Sequence, residues 1–543
     1  ENANGEVGRS LAIINGFEAT VPASSIAGLK RSPSIYEVTP NGKLQTLQMA
    51  TPTAADTSAT TGTTADDTIA EVNALPGSLY KTAKVIGADK YYANGFEGQG
   101  VDVALVDTGV APVDGLPASR VINGPDLSFE SQFPETEYLD TMGHGTHMAG
   151  IIAGDDKPGF GSDEFQGIAP KSRIVSIKVG QADGAADVSQ VIAAIDWVVQ
   201  HRTDNGMNIR VLNLSYGTDG VQDYVLDPLT FAVEQAWFND IVVVVAAGNA
   251  GLGTPKLNNP AYDPYVIAAG GDDTKGTIGS SDDIVPEWSS RGNAGRHPDF
   301  VAPGQSIVSL RAEGSFIDEE YPTGRVGTRF FKGSGTSQSA AVVSGTAALL
   351  LSRYPYLTPD RVKAYLVKTA SALPLGDVVA QGAGLANLSN YSASVPNSGS
   401  QSKQSFPRAT GAGLLELARG TAHVSDPDGN EDGIEDDPID LKGEFDIFGM
   451  PFSGKSWSIL SAAGKSWSGG VWNGSEWTGG DWSGTSWSGK SWSGKSWSGK
   501  SWSGKSWSGK SWSGKSWSGK SWSGKSWSGK SWSGKSWSGY LYE

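Results

Sequence analysis

The sequence predicts an α/β fold in which a parallel sheet is flanked by helices, with smaller segments attached at both ends. Between residues 75 and 395, apolar runs of strand length alternate with stretches of helical periodicity, as in a parallel sheet covered by helices. On either side of that body the composition changes abruptly, dividing the 543 residues into a large core and accessory parts.

Residues 1–50 carry apolar segments at 11–14 and 35–38 and read as a small folded α+β segment. Residues 51–74 are rich in Thr, Ala and Asp with few large apolar side chains, the composition of a flexible linker. Within the body, the runs at 101–106, 174–179, 211–214, 241–245 and 266–269 are short and apolar enough to be buried strands. Val188, Val191, Ile192, Ile195 and Val199 recur at helical spacing. Thr358-Pro359-Asp360 opens a further helix, with a capping hydroxyl, Pro in the first turn and an acid at the positive end of the dipole. Residues 396–452 read as a bridge, and its acidic run at 426–437 as a solvated linker, because it lacks a complete calcium-binding loop.

From Trp457 to Trp537, Trp recurs every five residues with only Ala462 breaking the series, so residues 453–543 are an internal repeat. A β-type array is expected there. Strand side chains alternate faces, so Trp at spacing five cannot share one face of a continuous strand. Two pentads folded as a ten-residue coil would stack Trp into ladders, with Lys facing solvent.

The net charge of −16 disfavours nucleic acid and anionic membranes as partners. It is unevenly spread: residues 453–543 hold twelve Lys against three acids, leaving −25 for the remainder. The absence of Cys excludes disulfides, thiolate metal sites and a cysteine nucleophile. No apolar run is long enough to span a bilayer, and no export signal is visible ahead of the polar start.

Serine hydrolysis needs a hydroxyl, an imidazole to take its proton and a carboxylate to orient that imidazole. Of five His, two lie in Gly143-His-Gly-Thr-His-Met-Ala-Gly150, where small residues let a helix start pack beneath an exposed ring. Asp107 ends an apolar run in Ala104-Leu-Val-Asp-Thr-Gly109, at the carboxyl end of a predicted strand, where open α/β sheets place their active groups. Gly333-Ser-Gly-Thr-Ser-Gln-Ser-Ala340 puts Ser337 at the start of an apolar helix running to about Leu351. His147, one turn along the helix from His144, reads as packed and structural. His201, His297 and His423 show no ligand pattern.

Asp-Thr-Gly, His-Gly-Thr-His and Gly-Thr-Ser, in that order, resemble the subtilisin-like serine proteases. Leu214-Ser-Tyr-Gly217, Ala246-Ala-Gly-Asn249, Ser289-Ser-Arg-Gly292 and Pro298-Asp-Phe-Val-Ala-Pro-Gly304 extend the resemblance over residues 75–395. It implies a subtilisin-like fold and a secreted endopeptidase whose triad is Asp107, His144 and Ser337. It makes Asn249 the oxyanion donor, and Ser215, Tyr216, Gly217, Ala246, Ala247 and Gly248, with the region of Asn258, the substrate-binding segments. The chain departs from the family after Gly-Thr-Ser: Gln338-Ser-Ala-Ala341 stands where Met-Ala, a small residue and Pro are usual, altering the helix start and the site's rim.

The resemblance further implies that residues 1–50 are the latter half of an inhibitory prosegment, with self-cleavage expected between about 50 and 80. No cofactor is required for the chemistry. Structural calcium is expected somewhere in the body, with no ligand set assignable. The partners are protein or peptide substrates, and the location is extracellular or cell-surface, with the tail serving self-assembly or surface attachment. The competing reading is a structural or filament-forming protein in which the protease fold serves for processing or as a platform.

Overall fold

The computed structural model describes residues 6–11, 16–20, 22 and 68–463, apart from 133–134, 157–159, 254–255, 375, 400–401, 427–438 and 447–450, together with seven short strands between 471 and 528. The chain divides into two compact units, Glu1–Leu44 and Gln45–Glu543. In the first, β1 (Glu6–Leu11) and β2 (Gly16–Thr20) pair antiparallel, with Leu11 opposite Gly16. The apolar segment at 35–38 and residues 51–67 of the linker lie outside the described residues, whereas Ile69–Ala74, the end of the segment read as a flexible linker, is a short helix capped by Thr68 with Val72 buried.

In the second unit the apolar runs become one seven-stranded sheet. Its strands are β3 (Asp102–Asp107), β4 (Val121–Asp126), β5 (Arg173–Lys178), β6 (Ile209–Leu214), β7 (Val242–Ala246), β8 (Ile267–Asp272) and β9 (Phe300–Pro303). Their order is β4-β5-β3-β6-β7-β8-β9, and every neighbouring pair is parallel. β3 and β7 are buried at every position, which is why they read as unbroken apolar runs. A three-stranded antiparallel sheet is formed by β10 (Ile307–Leu310), β11 (Arg325–Val326) and β12 (Phe330–Gly333).

Helices flank the sheet. α1 (His144–Ala153) packs with α4 (Thr336–Arg353), and α4 also lies along β6, β7, β8 and β9. α2 (Val188–His201) packs against β3 and against α3 (Pro228–Phe238), which rests on β7. Asp187 begins α2 by accepting from Ser189 N, and Gln190 completes a capping box. α5 (Pro359–Thr369) starts at Thr358-Pro359 as expected, but the Thr358 hydroxyl makes no capping hydrogen bond to it. Its Lys363 buries an ammonium among the carbonyl oxygens of Pro264 (2.7 Å), Tyr265 (3.4 Å) and Val266 (2.9 Å), with Asp299 Oδ1 at 3.0 Å.

The segment read as a bridge packs on this body wherever it is described. Ala409, Leu415, Ala418, Val424 and Leu441 are buried. Arg419, at the end of α6 (Leu415–Arg419), is fully buried and donates through Nε to Asp187 Oδ2 at 2.6 Å. The acidic run lies almost wholly outside the described residues, but its flanks pair as β13 (Ser425–Asp426) and β14 (Ile439–Asp440). Trp457, in α7 (Gly454–Ala462), packs its ring against Phe231 and Phe452, so the first Trp of the series belongs to the folded body.

Beyond it, the described tail strands are β15 (Val471–Trp472), β16 (Ser475–Trp477), β17 (Trp482–Gly484), β18 (Ser501–Ser503), β19 (Ser506–Ser508), β20 (Ser521–Ser523) and β21 (Ser526–Ser528). Their ladders are antiparallel, with Trp477 opposite Trp482, Trp502 opposite Trp507 and Trp522 opposite Trp527. This differs from a stack of ten-residue coils, in which a Trp would face the one ten residues on. In these described ladders the paired Trp are five residues apart in sequence.

Candidate active site

Asp107 is the last residue of β3, His144 the first of α1 and Ser337 the second of α4. His144 Nδ1 lies 2.7 Å from Asp107 Oδ1, and both side chains are buried. Holding the ring proton on Nδ1 leaves Nε2 as the acceptor face. Burial works against the imidazolium. The Asp107 carboxylate, with Asp140 behind it, outweighs burial and raises the His144 pKa above its ordinary value.

The residue types around this pair follow from how closely two backbones meet. A Cβ on Gly145 would stand 2.1 Å from Gly109 O, so only Gly lets the helix start lie against the Asp-Thr-Gly turn. Thr108 Oγ1 accepts from Gly145 N (2.9 Å) and donates to Asp140 Oδ1 (2.8 Å). Asp140 in turn accepts from Gly143 N (2.7 Å) and Thr146 N (2.6 Å), satisfying donors that the first turn of α1 leaves open. Ahead of Asp140, the buried Lys178 ammonium donates to Glu130 Oε2 (2.6 Å) and Thr136 O (3.1 Å), tying that loop to β5. The position of His144 thus rests on Asp140, which sequence reasoning did not identify.

Ser337 Oγ and His144 Nε2 are both buried and neither has a hydrogen-bond partner. Catalytic hydrogen bonds often tighten only when substrate is bound. Asn249 Oδ1 accepts from Thr336 N and Thr336 Oγ1, each at 2.9 Å, which fixes the amide plane and turns Nδ2 toward Gly335. Thr336 Oγ1 also accepts from Gly248 N at 3.1 Å, so one hydroxyl joins the α4 start to residues 248–249. Gln338, beside the nucleophile in sequence, is fully buried with both amide heavy atoms unpartnered.

The expected substrate-binding segments lie at the carboxyl ends of β6 and β7. Ser215 Oγ donates to Ser337 O (3.4 Å) and Tyr216 OH to Ala186 O (3.3 Å). Ala246 and Ala247 are fully buried. A Cβ on Gly217 would meet Asn258 Cβ at 3.0 Å, and Gly248, at φ +114°, faces Asn258 Oδ1. Asn258 therefore sits between the two segments.

His147 is buried and donates Nε2–H to Phe331 O at 3.1 Å; burial first, then the nearby His144 charge, brings its pKa down to about 4. His201 is stacked on Trp197 and held by Asp204, and His423 by Glu416. Among the described residues no helix is long and apolar enough to cross a membrane.

Residues 98–413, more than half of the chain, match the model of the Subtilase family. The chain is 38% identical over 299 residues to serine protease AprX of Bacillus subtilis, covering 54% of this chain and 66% of AprX. It is 32% identical over 306 residues to subtilisin DY of Bacillus licheniformis, covering 56% of this chain and 95% of that protein. The crystal structure of fervidolysin from Fervidobacterium pennivorans, a keratinolytic enzyme related to subtilisin, aligns at 26% identity over 58% of this chain and 46% of that one, with a TM-score of 0.45. With the matched residues spanning the sheet, α1, α4 and the segments between them, the chain belongs to the subtilase family of serine endopeptidases.

Proposed function

We propose that the chain hydrolyses peptide bonds in protein substrates, with Ser337 as nucleophile, His144 as general base and then acid, and Asp107 as the group that orients and stabilises the imidazolium. The observation that carries this reading is the 2.7 Å His144–Asp107 pair, which leaves Nε2 as a buried acceptor without a partner, as is Ser337 Oγ. Attack by Ser337 on the scissile carbonyl transfers the hydroxyl proton to His144 Nε2, which then protonates the leaving amine; water repeats the sequence on the acyl-enzyme. Asn249 Nδ2 and the backbone N–H of Ser337 stabilise the tetrahedral oxyanion. Residues 215–217 and 246–248 flank the extended substrate.

In the same reading the enzyme is exported, residues 1–50 act as a remnant prosegment, and the precursor cuts itself between about 50 and 80. Casein digestion with intact-mass analysis of the wild-type and Ser337→Ala chains tests both activity and processing. Wild type should hydrolyse casein and shorten itself, and Ser337→Ala should do neither. Wild-type turnover in Ser337→Ala would end the proposal.

The tail serves self-assembly or surface attachment, a role supported by its short antiparallel strands, whose outer edges have no ladder partner among the described residues and can offer backbone groups to another chain. Sedimentation of the full chain at rising concentration distinguishes an assembling tail from a passive one.

A further inference from the structure

Most buried carboxylates in this chain are supplied with donors: Asp140 accepts from Thr108, Gly143 and Thr146, and Asp187 from Arg419 and Ser189. Two are not. Asp272, the last residue of β8, is 0% exposed and Asp283 is 3% exposed, and all four of their carboxylate oxygens are buried without a hydrogen-bond partner. No N–H or O–H donor of the described residues reaches any of these oxygens. The nearby Lys275 ammonium is held by Asp273 at 2.6 Å.

Backbone register places these carboxylates together. Asp273 and Ile284 form an antiparallel bridge, exchanging both hydrogen bonds at 2.9 and 3.2 Å. That register sets 272 opposite 285 and 274 opposite 283. Asp272 and Asp283 thus fall on one face as diagonal neighbours, about 7–8 Å apart in the backbone, a gap that an ion between two carboxylates spans. Uncompensated charges at such depth are strongly unfavourable. We propose that Asp272 and Asp283 hold a hard divalent cation of the calcium type.

The donors are oxygens only, which suits Ca²⁺ and disfavours metals that prefer nitrogen or sulfur. Among the described residues no third carboxylate or His joins them, so carbonyls and water complete the shell. Burial first, then each pair of neighbouring carboxylates, pushes the Asp272 pKa well above the usual range and that of Asp283 up to about 6. A cation would reverse both shifts. Asp272 O accepts from Gly304 N (2.9 Å), and Gly304 O accepts from Gly335 N (2.9 Å), the residue that begins α4. The ion would therefore stand two backbone hydrogen bonds from the helix that carries Ser337. Trp288 supplies a reporter, since a Cβ on Gly271 would lie 2.4 Å from its ring and Gly271 adjoins Asp272.

The test uses the full chain with Ser337→Ala, stripped by chelator, so self-digestion does not interfere and the outcome is independent of the catalytic reading. Calcium bound per chain is measured by equilibrium dialysis, and terbium luminescence is excited through Trp. Asp272→Asn and Asp283→Asn should each bind one Ca²⁺ fewer than the parent and lose a calcium-dependent rise in melting temperature. Trp288→Phe should keep the calcium count and lose the sensitised terbium emission that the two carboxylate variants also lose. An unchanged calcium count in Asp283→Asn overturns the proposal. So does terbium emission indifferent to both Asp283→Asn and Trp288→Phe, and the second holds even where a carboxylate variant fails to fold. Either result would leave a pair neutralised by protons.

Discussion

Replacing Thr336 by Val tests whether the oxyanion donor is positioned by a single hydroxyl. Val keeps the shape of the side chain and its place in the first turn of α4. It removes the group that accepts from Gly248 N at 3.1 Å and donates to Asn249 Oδ1 at 2.9 Å. Gly248 is buried, so its orphaned N–H costs about 1–3 kcal/mol. Asn249 Oδ1 retains its bond from Thr336 N, so the amide keeps one of its two anchors. If about 1.4 kcal/mol of the loss falls on the transition state alone, kcat drops about tenfold with KM little changed. Removing the donor in Asn249→Ala should cost about 100- to 1000-fold. Steady-state kinetics on a peptide amide for both single variants and the double variant form the assay. Because Thr336 acts through Asn249, the double variant should be no slower than Asn249→Ala. Multiplying effects, or a change confined to KM, would refute the positioning role.

Two further outcomes follow from the charges described above. His144 must be neutral to accept a proton and its pKa is raised, so kcat/KM should fall on acidification at a pH above the ordinary imidazole value; Asp140→Asn removes one of the charges that raise it and should move that limb to lower pH. A limb that does not shift in a pH–rate profile would separate Asp140 from His144. Arg419→Ala leaves Asp187 buried without its cation and should destabilise the Ser337→Ala chain by about 3–5 kcal/mol in urea unfolding, whereas a loss below about 1 kcal/mol would show the pair to be dispensable.

The parts of the fold that were legible are those whose burial is uniform. β3, β7 and β8 are buried at every position and β5 and β6 at all but one, and α2 shows its helical stripe plainly. β4 was not foreseen because its sequence, Val-Ile-Asn-Gly-Pro-Asp, lies at the sheet edge, is partly exposed and contains Gly and Pro. α3 opens with the cap Asp227-Pro228, yet almost every residue in it is buried, so it has no polar face to reveal its period. Asp107 and His144 stood out through their local motifs. Asp140 and Thr336 act by meeting residues 32 and 87 positions away, and no spacing within a segment encodes such meetings. Arg419 was hidden differently: polar composition marked its surroundings as a bridge, while its partner Asp187 lies 232 positions earlier.

A dissociable ion stabilises a protein only in proportion to its free concentration, and dilution or a chelator withdraws it. The Lys363 ammonium is tethered by its own chain, so its local concentration is set by geometry and never falls. It clasps α5 to residues 264–266 and to Asp299 in a chain that has no cysteine to do so. That cross-link has no free component to equilibrate with the surroundings. The attachment of α5 at this point therefore does not depend on the free concentration of any metal ion in the medium the enzyme meets.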